Sequence, residues 1–451
     1  MSALTVELGH FIAGLSLQQV PAEGCAIART GIADCFGVLI AGARDPEIAL
    51  VDRELGASGG APLASLIPSG ARRTPETAAL VNGVAAHVLD YDDVSLDGHP
   101  SAVLVPAILA QGQASGSSGA QMLAAYIAGY EVWAELIARE PVPLHRKGWH
   151  PTAVLGTVAA AAACAKLRDL DAAGASIALA IAASMSSGLV ANFGTMTKSF
   201  QVGRAAQSGV IAARLAQAGF TASLDALEHQ AGLLVALSPD GKANLDRSFA
   251  AAPKEWHIVG HGLNIKRYPI CYATHRSIDA ALDLVARHDL KPGEVERIHV
   301  STGKTQMLML RNSAPQTGLE AKFSMQFAMA AAVCARHVGL REVTDEFVRR
   351  PEVQAIFPRV FLEGTAATMA GSNFAPADAV EVTTTGGETF RSGPVEYAKG
   401  SHQRPLSRDE LWGKFADCLG DEFSAARKSR AFENLMMFDR LNGLGDLGLS
   451  A

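Results

Sequence analysis

Residues 192–216, NFGTMTKSFQVGRAAQSGVIAARLA, decide the fold that we predict for this chain. In the second half of the stretch, small residues recur at helical spacing, so they line one face of a helix and let neighbouring helices approach closely. The small residues on this face are Gly203, Ala206, Gly209, Ala213 and Ala216. The pattern predicts a buried, central helix packed among other helices.

Lys198 lies at the predicted start of this helix. Gly194, Thr195 and Thr197 beside it are typical of a turn and a helix N-cap. Backbone N–H groups at a helix N-terminus favour an anion, and a lysine among small residues is costly there unless an anion binds. In the alternative interpretation the lysine stem packs and its ammonium group reaches water. We predict that Lys198 belongs to a site for a negatively charged substrate.

The composition indicates a large folded core. The chain has 451 residues, of which 49% are hydrophobic and 19% charged, so it is long enough for two domains. Its net charge of −6 supplies no basic surface for nucleic acid. No apolar run reaches the roughly 18 residues of a membrane span, and the N-terminus has no secretory signal pattern. We therefore expect a cytoplasmic protein without nucleic-acid or membrane partners.

The cysteines are scattered and form no C-x-x-C pair. This spacing predicts neither disulfides nor a zinc or iron–sulfur site. The six residues are Cys25, Cys35, Cys164, Cys271, Cys334 and Cys418.

Two kinds of pattern divide the chain. Residues 1–264 and 401–451 carry helical patterns, which predict a large all-helical domain. Between them, residues 295–301 and 379–385 alternate as half-buried strands do, and Gly386-Gly387 predicts a hairpin. Helices are predicted there at residues 274–288 and 320–337. The fold class is therefore mainly α, with a smaller α+β domain at residues 265–400.

Two histidines are predicted at the starts of helices. His99 precedes Pro100 and His150 precedes Pro151, and a proline in this position commonly opens a helix. The acidic run DYDD at residues 90–93 lies close enough in sequence to orient or charge His99. The alternative is structural, with acids that cap helices and a histidine on the surface.

Another basic segment lies where the two predicted domains join. It is KRYPICYATH at residues 266–275, and clefts between domains often bind ligands. Its Cys271 is a possible nucleophile, although cysteine is more commonly a small core residue. Together the segments supply histidines, cations and an acid, without a metal-ligand spacing such as H-E-x-x-H. This set predicts proton transfer on a substrate that carries several carboxylates.

Read jointly, these motifs resemble the MmgE/PrpD family. They are DYDD followed by GHPS, GWHPT, TMTK before GRAA, the run ending at His275, and EAKFS at residues 320–324. They follow one another in order over nearly the whole chain. Family members include 2-methylcitrate dehydratase, cis-aconitate decarboxylase and iminodisuccinate epimerase. The resemblance implies a homodimer, in which the α+β domain is a lid and the active site in the cleft uses neither a metal nor a cofactor.

The resemblance also implies roles for individual residues. Catalytic roles are implied for Asp90, His99, His150, Lys198 and His275. Substrate-binding roles are predicted for Lys266, Arg267, Ser101, Tyr272 and Lys322.

Two positions depart from the family pattern. Val94, with Ser95 next, follows the aspartates where decarboxylase and dehydratase members tend to carry threonine, and Phe327 stands where decarboxylase members have tyrosine. Both departures argue more against decarboxylation than against proton abstraction.

We therefore expect a lyase of the 2-methylcitrate dehydratase type. It would abstract a proton beside a carboxylate of a di- or tricarboxylic acid and eliminate water. Two alternatives stay open. The first is an epimerase or isomerase of an imino- or hydroxy-dicarboxylate, because the segments GTMTK and CYATH are more similar to the epimerase branch of the family. The second is a non-catalytic carboxylate-binding protein.

Overall fold

The computed structural model describes residues 4–57, 59–249, 255–369 and 374–447. The chain divides into two compact units. The first unit comprises the chain up to Asn264 together with the segment from Ser407 onward, and the second runs from Ile265 to Leu406.

The first unit is built almost entirely of helices. In chain order its helices before residue 264 are α1 (Leu4–Gly14), α2 (Ala22–Gly42), α3 (Pro46–Leu55), α4 (Pro75–His87), α5 (Pro100–Ser115), α6 (Gly119–Ala138), α7 (Pro151–Leu167), α8 (Ala172–Met185), α9 (Thr197–Gln217), α10 (Leu233–Leu237) and α11 (His257–His261). Two strands of two residues each, β1 (Ala64–Ser65) and β2 (Arg72–Arg73), pair antiparallel between α3 and α4. The fold class that we predicted is confirmed, and this short ladder is a local exception in the helical unit, because strands so short leave no alternating pattern in a sequence.

The predicted central helix is α9. All five small residues on its predicted face are buried. A side chain at Gly203 would collide with the backbone of Leu80 in α4, and one at Gly209 would collide with Ala160 in α7. Since only glycine leaves room at these two crossings, α9 packs backbone to backbone against both helices.

The start of α9 differs in detail from the prediction. The N-cap residue is Met196, which supplies no side-chain cap, rather than a threonine. Thr195 closes the preceding turn instead: its hydroxyl donates to the Asn192 carbonyl (2.8 Å) and accepts from the Thr197 N–H (3.3 Å). Lys198 lies in the first turn of α9, where we predicted it.

The second unit contains a four-stranded sheet. Its strands are β3 (Val295–Gly303), β4 (Val360–Thr365), β5 (Ala379–Thr384) and β6 (Thr389–Arg391), in the spatial order β4-β3-β5-β6. β3 pairs parallel with β4 and antiparallel with β5, and β5 and β6 form the predicted hairpin. The edge strand β4 was not predicted, because its sequence VFLEGT places three apolar residues side by side instead of alternating them with polar ones.

The second unit also contains helices. They are α12 (His275–His288), α13 (Lys304–Met309), α14 (Gly318–Ala321), α15 (Met325–Cys334), α16 (Asp345–Val348) and α17 (Pro351–Gln354). The single helix predicted over residues 320–337 is wrong. Ser324 accepts the N–H of Phe327 (3.1 Å) and so begins α15 as a new helix after α14.

The chain then returns to the first unit as α18 (Arg408–Leu419) and α19 (Ala425–Met436). α18 packs on α2. Among the described helices, α2 is the one with the length and hydropathy of a membrane span, and 72% of that apolar window is buried inside the protein. A core helix of a folded domain has these same properties.

Candidate active site

Three histidines from different helices meet in the first unit. His99 and His150 occupy the N-cap positions of α5 and α7, as the prolines that follow them predict. His87 ends α4, and its ring centroid lies 4.6 Å from that of His99 and 6.2 Å from that of His150. The structure thus brings two predicted residues together around a third that we did not predict.

Lys198 joins this group with its own acidic partner. Its Nζ lies 2.5 Å from Oδ1 of Asp90, and both residues are largely buried. Asp90 has φ 51°, a left-handed conformation that aspartate tolerates at the end of a helix. The ring of Phe193 lies between the groups: its centroid is 5.5 Å from Lys198 Nζ and 4.8 Å from that of His150. The anion expected beside Lys198 is therefore supplied, within this chain, by Asp90.

Asp92 joins two of the histidines. Its Oδ2 lies 2.9 Å from Nδ1 of His87 and 3.0 Å from Nδ1 of His99, and its side chain is fully buried. Burial alone would raise the pKa of Asp92, but the two imidazoles outweigh it and hold the pKa well below the usual range. Asp92 is therefore a carboxylate that accepts the N–H of His87 and lies at ion-pair distance from His99.

His99 has a defined ring orientation. Its Nδ1 lies 2.9 Å from the main-chain oxygen of Asp93 as well as near Asp92. Both neighbours are acceptors, so the hydrogen of the neutral ring is on Nδ1 and the lone pair is on Nε2. The His99 side chain keeps 15% of its surface exposed, whereas that of His87 has none. Of these two rings, His99 is the one that a ligand can reach.

His150 is held by an amide instead of a carboxylate. Its Nδ1 lies 2.8 Å from Oε1 of Gln201, and the amide nitrogen of Gln201 donates to the Leu189 carbonyl (3.1 Å). Burial, helped by His87 and Lys198, holds the pKa of His150 well below its usual value. His150 is therefore neutral, with its lone pair on Nε2.

Asp93 differs from its neighbour Asp92. Burial raises the pKa of Asp93 to about 8, so this side chain is a neutral acid near pH 7. Its Oδ1 accepts the N–H of Ser101 (3.2 Å), and its Oδ2 contacts the Ser101 hydroxyl, which lies 2.7 Å from the hydroxyl of Tyr126. Ser101 is fully buried in this network. Its proposed contact with substrate stays a prediction.

The close Nδ1 contacts in this group are hydrogen bonds rather than positions for a metal ion. Among the residues that the structure describes, His87, Asp92 and His99 are the group spaced closely enough to hold one. A ligating imidazole nitrogen carries no hydrogen, yet Nδ1 of His99 faces both a carboxylate oxygen and the Asp93 carbonyl oxygen at hydrogen-bond distance. These contacts require an N–H, so we describe the group as hydrogen-bonded.

His275 lies in the second unit. It is the first residue of α12, fully buried, with Nε2 3.2 Å from the Ile270 carbonyl oxygen. The rings of Tyr268 and Tyr272 lie 5.1 Å and 5.0 Å from it. Burial raises the pKa of Tyr272, so its phenol is protonated at neutral pH. The predicted roles of His275 and Tyr272 stay predictions.

The predicted cations of this unit differ in exposure. Lys266 and Lys322 are buried, whereas Arg267 is exposed. Its guanidinium lies 3.6 Å from Asp279 and 5.5 Å from the centre of the Tyr268 ring. Their substrate contacts likewise stay predictions. Cys271 belongs to the hydrophobic core of the unit, which favours the core interpretation of this residue.

The structure shows the surroundings of the two positions that depart from the family pattern. The hydroxyl of Ser95 is buried 2.9 Å from that of Tyr130, so it does not replace a hydroxyl missing at Val94. Phe327 is fully buried in the core of the second unit, edge-on to Phe347.

Sequence reasoning missed two residues of this group, His87 and Gln201, whereas Asp92 belongs to the acidic run that was predicted to orient or charge His99. His87 lies in the last turn of a helix next to the acidic run, and Gln201 lies three residues after Lys198, a spacing that places both on one helix face. These two signals were available in the sequence.

Comparison with known proteins covers both units. A model of the MmgE/PrpD N-terminal domain matches residues 6–246, and one of the MmgE/PrpD C-terminal domain matches residues 268–436. The chain is 30% identical over 356 residues to cis-aconitate decarboxylase from Homo sapiens, covering 76% of this chain and 72% of the human protein. It is 23% identical over 470 residues to cis-aconitate decarboxylase from Aspergillus terreus, covering 99% of this chain and 95% of the fungal protein.

Proposed function

The chain belongs to the MmgE/PrpD family of enzymes, and on that premise we propose that it is a lyase for a di- or tricarboxylic acid. It removes a proton from the carbon beside a carboxylate and eliminates water from the neighbouring carbon.

One observation carries this proposal: a carboxylate-backed histidine, His99, lies in the same buried group as the cation Lys198. A hydrogen beside a carboxylate is weakly acidic, and its removal adds negative charge to a group that is already an anion. A base in position removes the weakly acidic hydrogen, and a fixed cation stabilises the added negative charge. Asp90 holds the ammonium group of Lys198 in place for this role.

Phe327 supports loss of water over loss of carbon dioxide, because it stands where decarboxylase members have tyrosine. Val94 does not separate the two reactions, because both kinds of member tend to carry threonine there, and the neighbouring Ser95 hydroxyl is engaged by Tyr130. Decarboxylation is the second candidate, because the relatives compared above carry the name cis-aconitate decarboxylase. An epimerase that returns the proton without elimination is the third.

A panel of polycarboxylic acids, followed by proton NMR in deuterated water, tests the proposal. We expect one acid to incorporate deuterium beside a carboxylate and to form an alkene with loss of water. If an acid releases carbon dioxide and loses no water, the protein is a decarboxylase. Exchange or inversion without an alkene would establish the epimerase, and binding without exchange would mean a non-catalytic protein.

A matched variant links the reaction to the site. His99→Gln removes the proposed base, and we expect deuterium incorporation to fall on the order of 100-fold or more. An unchanged rate in this variant would place the chemistry elsewhere.

A further inference from the structure

His99 and His150 have matching positions but different partners. Each is the N-cap residue of a helix that opens with proline, and each directs Nδ1 at a buried acceptor. His99 Nδ1 lies 2.9 Å from the main-chain oxygen of Asp93 and 3.0 Å from the carboxylate of Asp92, whereas His150 Nδ1 lies 2.8 Å from the amide oxygen of Gln201. The two rings are therefore held alike and differ in the charge behind them.

The charge behind His99 suits a ring that gains a proton. When Nε2 accepts a proton, the ring becomes a cation, and a carboxylate 3.0 Å from Nδ1 stabilises that cation directly. Asp92 also accepts the N–H of His87 (2.9 Å), which fixes the carboxylate oxygen between the two rings. Such a partner orients an imidazole and fixes which ring nitrogen carries the hydrogen.

The surroundings of His150 suit a ring that stays neutral. The amide of Gln201 is fixed by its hydrogen bond to the Leu189 carbonyl, so its oxygen faces the ring and carries no charge to offset an imidazolium. Lys198 and two neighbouring histidines disfavour a second proton on the ring. The Nε2 lone pair of His150 is then a hydrogen-bond acceptor.

We propose that Asp92 and Gln201 are positioning residues that divide the proton chemistry, Asp92 making His99 the base and Gln201 keeping His150 a neutral hydrogen-bond acceptor for the substrate. This inference rests on the proposed function and deepens it, since it names which histidine takes the proton.

The resulting elimination balances. Nε2 of His99 takes the proton from the carbon beside the carboxylate, and the electron pair of that C–H bond forms the C=C bond. The C–O bond to the neighbouring hydroxyl breaks, and the His99 imidazolium returns its proton to the leaving oxygen as water. The substrate hydroxyl donates to His150 Nε2 before this step. No oxidant, reductant or further reactant is required.

Several titratable groups face these two rings and contribute to any pH dependence. Around His99 they are His87 on α4, Asp92, His145 before α7 and His150. Around His150 they are His87, His99 and Lys198 on α9.

Asp92→Asn tests the first half of the inference. An amide has almost the shape of the carboxylate but cannot offset an imidazolium, so we expect kcat to fall by about 10²-fold or more with little change in KM. The control is Asp171→Asn, the same change at the N-cap of α8, where the side chain accepts the N–H of Gly174 outside this group and asparagine caps as well, so its kcat should stay near wild type. Equal losses in both variants would contradict a specific role for Asp92.

Gln201→Glu tests the second half and does not depend on how Asp92→Asn folds. A carboxylate behind His150 would favour its imidazolium and remove the acceptor lone pair, so KM should rise and a new ionisation should enter the pH profile of kcat/KM. Gln201→Met removes the hydrogen bond without adding charge and should raise KM without that ionisation. A Gln201→Glu profile that matches wild type would overturn the assignment.

Nitrogen-15 NMR of labelled histidines provides a readout without substrate. We expect His150 to be neutral at pH 7 in the wild-type protein, because burial lowers its pKa, and to be protonated at that pH in Gln201→Glu. The hydrogen of neutral His99 should be on Nδ1 in the wild-type protein, and its signal should shift in Asp92→Asn. A charged His150 at pH 7 in the wild type would refute the inference by itself. The expected spectra without turnover of any polycarboxylate would instead refute the proposed function.

Discussion

Lys414 of α18 donates a hydrogen bond from its ammonium group to the main-chain oxygen of Tyr91, across 2.9 Å. The same ammonium group lies 2.6 Å from Oδ1 of Asp34 in α2 and 4.0 Å from the centre of the Tyr91 ring. Tyr91 stands between Asp90, the partner of Lys198, and Asp92, the partner of His99. The returning C-terminal helix therefore fixes the acidic loop of the candidate site from behind.

Loss of this contact should impair catalysis as well as stability. Lys414→Met leaves Asp34 buried without its ion-pair partner, and we expect a loss on the order of 3 kcal/mol in the free energy of unfolding. The loosened Tyr91 carbonyl should lower kcat about tenfold, because a small misplacement of catalytic groups has large effects on rate. Urea unfolding and steady-state kinetics measure the two effects.

The double variant Asp34→Leu/Lys414→Met separates the effect on stability from the effect on kcat. Replacing a buried ion pair by apolar residues is often neutral for stability, so the fold should recover while kcat stays low. If kcat recovers together with stability, Lys414 supports only the fold.

Variants of the Lys198–Asp90 pair should separate stability from turnover. Lys198→Met removes the cation and leaves the Asp90 carboxylate largely buried, so both turnover and stability should fall, the latter by on the order of 3 kcal/mol. Adding Asp90→Asn should restore most of the stability and none of the turnover. Thermal unfolding and the deuterium-incorporation assay test this, and turnover in the double variant would remove Lys198 from the site.

The sequence predicts the scaffold of the site because its signals are local. Glycine and alanine at helical spacing predict α9, and the prolines after His99 and His150 predict where α5 and α7 begin. Steric limits on backbone and side-chain size produce these patterns, and the surroundings change them little.

The roles within DYDD could not be predicted, because they depend on tertiary contacts. Asp90, in a left-handed conformation, contacts Lys198; Asp92 contacts two histidines; Asp93 contacts Ser101. Three identical side chains thus acquire three environments, and two of them differ in protonation. The sequence contains no local signal for these differences.

His87 should make the protein acid-sensitive. Burial lowers the pKa of His87 to about 4, whereas an unfolded histidine has a pKa near 6.5. The unfolded state therefore binds the extra proton between these values, so stability rises with pH from about 4 to 6.5 and is lost as pH falls through that window. The contribution is about 3 kcal/mol. In His87→Gln the urea unfolding free energy should depend less on pH there; a curve parallel to wild type would show that His87 is not buried neutral.

Asp93 should produce the opposite slope at higher pH. Burial raises its pKa to about 8, against about 3.9 in an unfolded chain, so the folded state holds a proton that the unfolded state releases. Stability from this group is greatest below pH 4 and is lost as pH rises toward 8. Asp93→Asn keeps a neutral side chain of the same shape and removes this loss. Relative to wild type, the variant should gain about 4 kcal/mol between pH 5 and pH 8. Urea unfolding of both proteins at the two pH values measures the difference, and an equal stability difference at pH 5 and pH 8 would mean that Asp93 is ionised in the folded protein.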